Sequence, residues 1–519
     1  MENQTLSMLD SYNPATKELI GQVPRLDQAG VSAVVDKAWL AFDNWRNTEI
    51  HERISKVLEL RKIIHQHKDD IAELITKEVG KPLSESYLAE LTGPLDTCIW
   101  LAENSERFFK DQIVGLSNPL MASKQAIIVF EPLGVIGIIS PWNYPFAIPV
   151  MAILMSLMAG NTVVLKPSEK SPLIGIKIAE LFREAGFEEG VVQVITGDRT
   201  TGEYLTKQKL SKLIFTGSVN AGKAVMSQCA AQLTPVSLEL GGKDPAIVLP
   251  GVDPQWTAQG LVWGAFTNCG QACASIERLY LIKDQSNQAL IDNIVSQAKA
   301  LHLGNGLDPE TEIGPLIDEL QLQKVQEQVA DAVEKGAKIL CGGRSREDLG
   351  GYFYEPTVLT NVNHKMLVMT EETFGPLLPI MIVDNEDQAL VFANDSNYGL
   401  CASIWGKDLS TAEDLAYSLD AGTVFINDAL FSFACPQVPW GGLKLSGSGR
   451  SHSYFGLMDL VQVKHINIDG SGGSKRIWWF PYGKNKLKTA KSGVDALHGG
   501  DIFAKGQGML DFLKGLMGS

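Results

Sequence analysis

Between residues 131 and 250, short runs of β-branched and aliphatic residues alternate with stretches long enough for helices. That alternation restricts the chain to a parallel sheet with crossover helices. The expected strands are 135–140, 162–166, 191–196, 212–216 and 236–240. Between the second and third, Ser171 reads as an N-cap, Pro172 as the first helical residue and Gly186 as the stop. A second alternating region covers about 253–420, with helices expected at 286–300 and 320–335 and a strand at 377–383. It predicts a second α/β domain. Segments 125–130 and 460–468 have strand-like composition but lie outside both regions. They either pair as a protruding arm or serve as ordinary edge strands.

With 519 residues, 45% of them hydrophobic, the chain can bury a large core, divided among two to four packed units. Sixty acidic residues against 45 basic ones leave a net charge of -15, which argues against nucleic acid and anionic membrane as partners of the main body. The apolar run at 148–159 is about half of the ~20 residues a membrane-spanning helix needs, so it reads as a buried helix. The start MENQTLSMLD lacks the features of a secretory signal, and cytoplasm is the expected location. Seven scattered cysteines without paired CxxC spacing imply reduced thiols and no metal site. After Asp469 the composition turns to glycine and lysine, and Met509, Phe512, Leu513, Leu516 and Met517 follow helical spacing. That spacing predicts a terminal amphipathic helix docking on its own protein body in preference to a membrane.

Five short segments could carry chemistry. In Asn268-Cys269-Gly270-Gln271-Ala272-Cys273-Ala274, glycine and two alanines leave Cys273 uncrowded, as a nucleophile requires. A cysteine is also a common small buried hydrophobe, which is the reading for Cys269. In 236–240, period-two alternation sets Val236, Leu238 and Leu240 on one face and Glu239 on the other. Burial there would raise the pKa of Glu239 toward that of a general base, although backbone amides could equally satisfy a structural carboxylate. Asn143, in Ser-Pro-Trp-Asn-Tyr-Pro after the first strand, either caps the next helix or donates its amide to a developing oxyanion. Lys166 and Glu169 follow the second strand, where open sheets place ligands, and are otherwise a surface pair. Gly217-Ser218-Val219-Asn220-Ala221-Gly222-Lys223-Ala224 nearly matches a P-loop. Ala224 replaces the magnesium-binding hydroxyl, so a helix N-terminus facing a diphosphate fits better than a nucleoside triphosphatase.

In order and spacing, SPWNYPF, NTVVLKPSE, FTGSVNAGK, LELGGKDP, NCGQACA, EETFGPLLPI and PWGGLKLSGSGR resemble the aldehyde dehydrogenase superfamily over about residues 10–468. The resemblance implies an α/β fold with two open parallel-sheet domains, a Rossmann-like cofactor domain and a catalytic domain, and a small β oligomerisation arm. It would assign 1–116 and 136–240 to the cofactor domain, with 441–455 returning to it, and 241–440 to the catalytic domain. The arm would be 117–135 with 456–469, and 470–519 would be an extension loosely similar to the C-terminal ends of class 3 and fatty aldehyde dehydrogenases.

The implied chemistry is oxidation of an aldehyde to its acid. Cys273 attacks, Asn143 and the Cys273 backbone N–H hold the oxyanion, hydride passes to nicotinamide, and Glu239 activates the water that hydrolyses the thioester. Glu239 distinguishes the chain from acylating relatives that use coenzyme A, and the intact trio argues against a silent scaffold.

By the same resemblance, Lys166 and Glu169 bind the adenosine ribose, Gly217, Ser218 and Gly222 the diphosphate, and Glu372 the nicotinamide ribose. Phe374 would lie beside the ring, and Trp142 would line the same cleft. Glu169 favours NAD over NADP. Expected substrate contacts are Tyr144, Ile148, Met151, Thr267, Ala272, Ala274, Leu430, Phe431 and Phe433. Nearly uncharged, they favour aliphatic or aromatic aldehydes over dicarboxylic semialdehydes. The arm implies a homodimer or dimer of dimers. One departure stands out: many hydrolytic members carry glutamate after the Gly-Arg where this chain has Ser451-His452.

Overall fold

The computed structural model describes residues 7–470, 472–473 and 476–517; part of the glycine- and lysine-rich stretch and the side chain of Met517 lie outside the described residues. Two compact units are present: residues 7–110 with 130–463, and residues 111–129 with those described from 464 onward.

The larger unit contains two sheets. The first runs in the order Gly447–Ser448, Val236–Leu240, Lys212–Gly217, Val135–Ile139, Thr162–Lys166, Val192–Val194. Its last five strands are parallel, and the two-residue first strand returns antiparallel, pairing Gly447 with Glu239. The second has seven strands, with Asp244–Val248 and Ile276–Ile282 near its centre and all but the edge strand Lys338–Cys341 parallel. Central strands such as Thr162–Lys166, Asp244–Val248 and Ile276–Ile282 are buried at every residue. Helices cover both faces of such a sheet, so its strands read as continuous apolar runs. One core fills the seven-stranded sheet, and two others occupy the faces of the six-stranded one.

The expected strands and helices form within a few residues of their predicted limits; the apolar run becomes helix Ala147–Met158, buried at nearly every position. Two capping expectations need correction. The Ser171 side chain does not cap helix Pro172–Glu184; the Glu78 carboxylate accepts from the N–H groups of Leu173 (2.7 Å) and Ile174 (2.9 Å) instead. Asn143 does not cap helix Ala147–Met158 either, because Glu90 accepts from the N–H groups of Phe146 (3.1 Å) and Ala147 (2.8 Å). An ionised acceptor binds such orphan donors more strongly than a neutral hydroxyl or amide, which explains why a distant carboxylate displaces the local cap.

Strands Lys124–Pro132 and Val461–Asp469, with Gln112–Val114, form a three-stranded sheet of their own. Of the two alternatives for 125–130 and 460–468, this is the pairing of the segments with each other.

Candidate active site

In the six-stranded sheet the direction of strand succession reverses between Val135–Ile139 and Lys212–Gly217. Loops leaving the two strands diverge at such a point and open a crevice at the carboxyl ends. There lies a cavity of about 180 Å³ bordered by Trp142, Asn143, Ser218, Glu239, Cys273 and Glu372. A side-chain amide, a carboxyl and a thiol, far apart in the chain, thus share one space. Gly217 and Phe374 border it too.

The segment before Cys273 has an unusual backbone. Asn268 (φ 51°), Cys269 (φ 58°) and Gly270 (φ 69°) are consecutively left-handed, a conformation costly for residues with a Cβ. A side chain at Gly270 would also collide with the Gly375 carbonyl, 2.2 Å away. Buried hydrogen bonds over-determine the turn. Glu85 accepts from the Asn268 N–H (2.9 Å) and the Thr267 hydroxyl (2.8 Å). The Asn143 side-chain amide donates to the Gln271 carbonyl (3.1 Å), and the Asn268 amide donates to the Asn143 carbonyl (3.2 Å). Gln271 in turn accepts from the Ile317 N–H (2.9 Å). Asn143 is therefore tied to the loop before Cys273 and borders the shared cavity.

Electrostatics set the protonation states. Burial pushes the Cys273 thiol well above its ordinary pKa, and Asp244, Glu239 and Glu372 push it further. Burial likewise raises Glu239 to about 7, opposed by the Ser451 hydroxyl and the Arg450 guanidinium. Glu372 also rises to about 7 through burial and its neighbour Glu277, while accepting from the Gly242 N–H (3.2 Å). At neutral pH the thiol is protonated and the two carboxyls are poised to exchange a proton.

The other expected cofactor contacts surround this cavity. Trp142 meets Phe374 edge-on at 5.4 Å. Phe374, itself at φ 56°, is fixed by its N–H donating to Glu277 (2.9 Å) and its carbonyl accepting from Gln321 (2.8 Å). Ser218 caps helix Val219–Ala230, whose first turn contains Gly222. Lys166 ends its strand in an ion pair with Glu169 (3.1 Å) and, like Glu169 and Gly222, lies outside the cavity. A capped helix N-terminus, a carboxyl in the crevice and an edge-on aromatic pair suit a dinucleotide. The absence of a side chain at Gly241 helps keep the crevice open, since a Cβ there would lie 2.2 Å from the Glu372 carboxyl.

The aldehyde dehydrogenase family model matches residues 1–466. The chain belongs to the aldehyde dehydrogenase family. It is an NAD(P)-dependent oxidoreductase of aldehydes. It is 38% identical over 462 residues to the NADP(+) succinate-semialdehyde dehydrogenase of Escherichia coli strain K12, covering 89% of this chain and 94% of that protein. To the 4,4'-diapolycopene aldehyde oxidase of a Methylomonas species it is 35% identical over 496 residues, covering 96% and 92%. The crystal structure of betaine aldehyde dehydrogenase from Staphylococcus aureus with NAD+ matches at a TM-score of 0.87 and 32% identity, covering 93% of this chain and 95% of that one.

A second, larger cavity of about 840 Å³ reaches Cys273 from the other side. Tyr144, Ile148, Thr267, Ala272, Ala274, Leu430, Phe431 and Phe433 all border it. Trp263 and Phe431 remain about half exposed, which places them at its mouth. Among the described residues no lysine, arginine or histidine lines it, and the charged ones that do are Glu85 and Glu312. Lys81 stays out of reach, buried beneath the Tyr144 ring (3.8 Å to the centroid) and paired with Glu90 (2.7 Å). Met151 requires a correction. Helix Ala147–Met158 turns it away from the tunnel into a small cavity behind Glu239, shared with Ser451 and His452. Burial pushes His452 down to about 4, so its imidazole is neutral there at physiological pH.

Glu85, Glu277 and Gln271 escaped sequence reasoning. Glu85 sits in an ordinary amphipathic stretch, and its partner Asn268 is 183 residues away. Removing the Glu85 carboxylate strands a buried N–H, at a cost of about 1–3 kcal/mol. Glu85→Ala is expected to lower kcat roughly five- to hundredfold by that cost while leaving the KM for NAD unchanged. Glu85→Gln, which keeps an acceptor oxygen, should recover part of the loss. Unchanged kcat in Glu85→Ala would show that the turn holds without it.

Proposed function

We propose that this dehydrogenase oxidises long, apolar aldehydes to carboxylic acids with NAD+ through a thioester on Cys273 hydrolysed by water. The convergence of Cys273, Glu239 and Asn143 on one cavity, continuous through Cys273 with a tunnel lacking cations, supports this reading most directly. The six-stranded part, 1–116 and 136–240 with 441–455 returning, would bind the dinucleotide, and 241–440 would carry the nucleophile.

In the proposed sequence, the Cys273 thiol passes its proton to the Glu239 carboxylate, which releases it to solvent, as the sulfur bonds to the aldehyde carbon. The carbonyl π pair moves onto oxygen, where the Asn143 amide and the Cys273 N–H donate to it. Bound NAD(P)+ supplies the hydride acceptor. Glu239 then takes a proton from water attacking the acyl carbon, the C–S bond breaks with its electron pair going to sulfur, Glu239 returns the proton to that sulfur, and the acid leaves. Trp142, Lys166, Glu169, Ser218, Glu372 and Phe374 hold the dinucleotide, with Gly217 and Gly222 shaping its cradle. Glu169 at the ribose disfavours a 2′-phosphate, which supports NAD over NADP.

A base must be ionised to accept a proton, so with Glu239 near 7 thioester hydrolysis should rise with pH from 6 to 8. Glu239→Gln should retain one burst of NADH per active site and lose roughly 10²–10⁴-fold in steady turnover. Cys273→Ala should lose the burst as well. Full turnover by either variant, or NADH formation that requires coenzyme A, would overturn the mechanism.

The relatives named for semialdehydes act on substrates with a second charged end. A tunnel without a cation offers such an end nothing, and Glu85 and Glu312 oppose it. Across straight aldehydes of increasing length, kcat/KM is expected to climb and to exceed that for succinate semialdehyde by at least about tenfold, since each buried CH₂ contributes about 0.8 kcal/mol. A preference for succinate semialdehyde would refute the substrate assignment.

Strand Val461–Asp469 presents Val463, Ile466 and Ile468 to solvent at 58%, 40% and 46% exposure. We propose that this sheet joins copies of the chain into a dimer or dimer of dimers. Sedimentation should show a multiple of 56.5 kDa; a monomer would contradict it.

A further inference from the structure

The chain beyond Asp469 has no part in the chemistry above. Its helices Lys484–His498 and Ile502–Met517 pack antiparallel, Phe512 meeting Gly493 and Gly515 meeting Thr489. Their seam consists of small or hydroxyl-bearing residues, Thr489, Ser492, Gly493, Ala496, Gly508 and Gly515, with Phe512 the one large side chain buried in it. A Cβ at Gly508 would lie 2.5 Å from the Ala496 nitrogen, and one at Gly515 2.2 Å from the Thr489 hydroxyl, so the seam depends on glycine.

The large apolar side chains lie outside. Ile502 is 84% exposed, Phe503 88%, Leu510 56%, Leu487 59% and Val494 61%. A helical pair built for water buries its large apolar residues and exposes its small polar ones; here the arrangement is reversed, as in helices solvated by lipid. The stripe at 509, 512 and 513 is accordingly split, Phe512 entering the seam while Met509 and Leu513 stay outside.

Charge and aromatic content indicate what meets this surface. Segment 471–519 has eight basic residues against three acidic ones, in a chain whose net charge is -15. Lys484, Lys488, Lys491 and Lys505 are exposed on the hairpin, and Trp479, Phe480 and Tyr482, at 52%, 77% and 65% exposure, precede it. Lysine with outward aliphatic, tryptophan and tyrosine side chains suits the boundary between anionic headgroups and acyl chains. None of the described helices is long and apolar enough to cross a membrane.

We propose that the terminal hairpin docks, lying flat, on the surface of a membrane containing anionic lipid. The assignment is independent of the substrate reading.

Flotation of the full-length protein tests it, using vesicles of phosphatidylcholine with phosphatidylglycerol and vesicles of phosphatidylcholine alone. The protein should bind the mixed vesicles at least about tenfold more tightly, and salt should weaken that binding. A variant with Ile502→Ser, Phe503→Ser and Leu510→Ser should lose at least about tenfold on mixed vesicles. Lys488→Gln with Lys491→Gln and Lys505→Gln should reduce binding toward that on neutral vesicles and abolish most of the salt dependence. Helicity by circular dichroism, sedimentation mass and turnover of a short soluble aldehyde should be the same for all three proteins. Absence of binding to mixed vesicles, or serine variants that bind as well as the parent, would overturn the proposal. A serine variant that changes sedimentation mass and leaves vesicle binding intact would assign the surface to contact between copies instead.

Discussion

The loop that leads into Cys273 adopts a backbone that its own sequence resists, and a carboxylate from another part of the chain helps hold it there. Asn268 and Cys269 both bear a Cβ, yet both are left-handed, at a cost of order 1–3 kcal/mol each. Glu85 offsets part of this by accepting from the Asn268 N–H and the Thr267 hydroxyl. The same region supplies Glu78 and Glu90, which satisfy the first turns of helices Pro172–Glu184 and Ala147–Met158. Helices Lys68–Val79 and Leu83–Glu90 therefore deliver three buried carboxylates to three backbone segments, two of which border the site. Buried acceptors of this kind are costly to desolvate, and repeated N–H donation compensates that cost.

A second constraint is the crowding of acids around the sulfur. Asp244, Glu239 and Glu372 raise the Cys273 pKa, and burial raises their own. An isolated thiol in that setting is a poor nucleophile. Burial brings Glu239 and Glu372 to about 7, so two carboxyls that titrate near neutral pH lie in the cavity of the protonated sulfur. Behind Glu239, Ser451 and a neutral His452 add no further negative charge.

Shape sorts what can approach. The tunnel ends on Cys273 and has no cation, while the crevice opposite collects the glycine turn, the capped helix and the aromatic pair. Lys81, which could have served an anionic substrate, is consumed by Glu90 and the Tyr144 ring.

The alternation of strands and helices, the buried run at 148–159 and the positions of Cys273, Glu239 and Asn143 were legible in the amino-acid sequence, because periodicity and residue chemistry act locally. Eight of the residues that border the tunnel were legible too. Ser171 as a side-chain cap was misread, and of the two alternatives for Asn143 the cap failed, because an ionised acceptor from a distant helix outcompetes a neutral neighbour. Met151 was misassigned because Ile148 borders both the tunnel and the small cavity behind Glu239 whereas Met151 reaches only the latter, and only packing decides this. The outward apolar face of the terminal hairpin was hidden for a related reason: spacing reveals a stripe, but not whether the partner helix covers it. What local chemistry dictates the sequence determined alone; whatever depends on which distant group arrives first at a buried donor, only the tertiary structure decided.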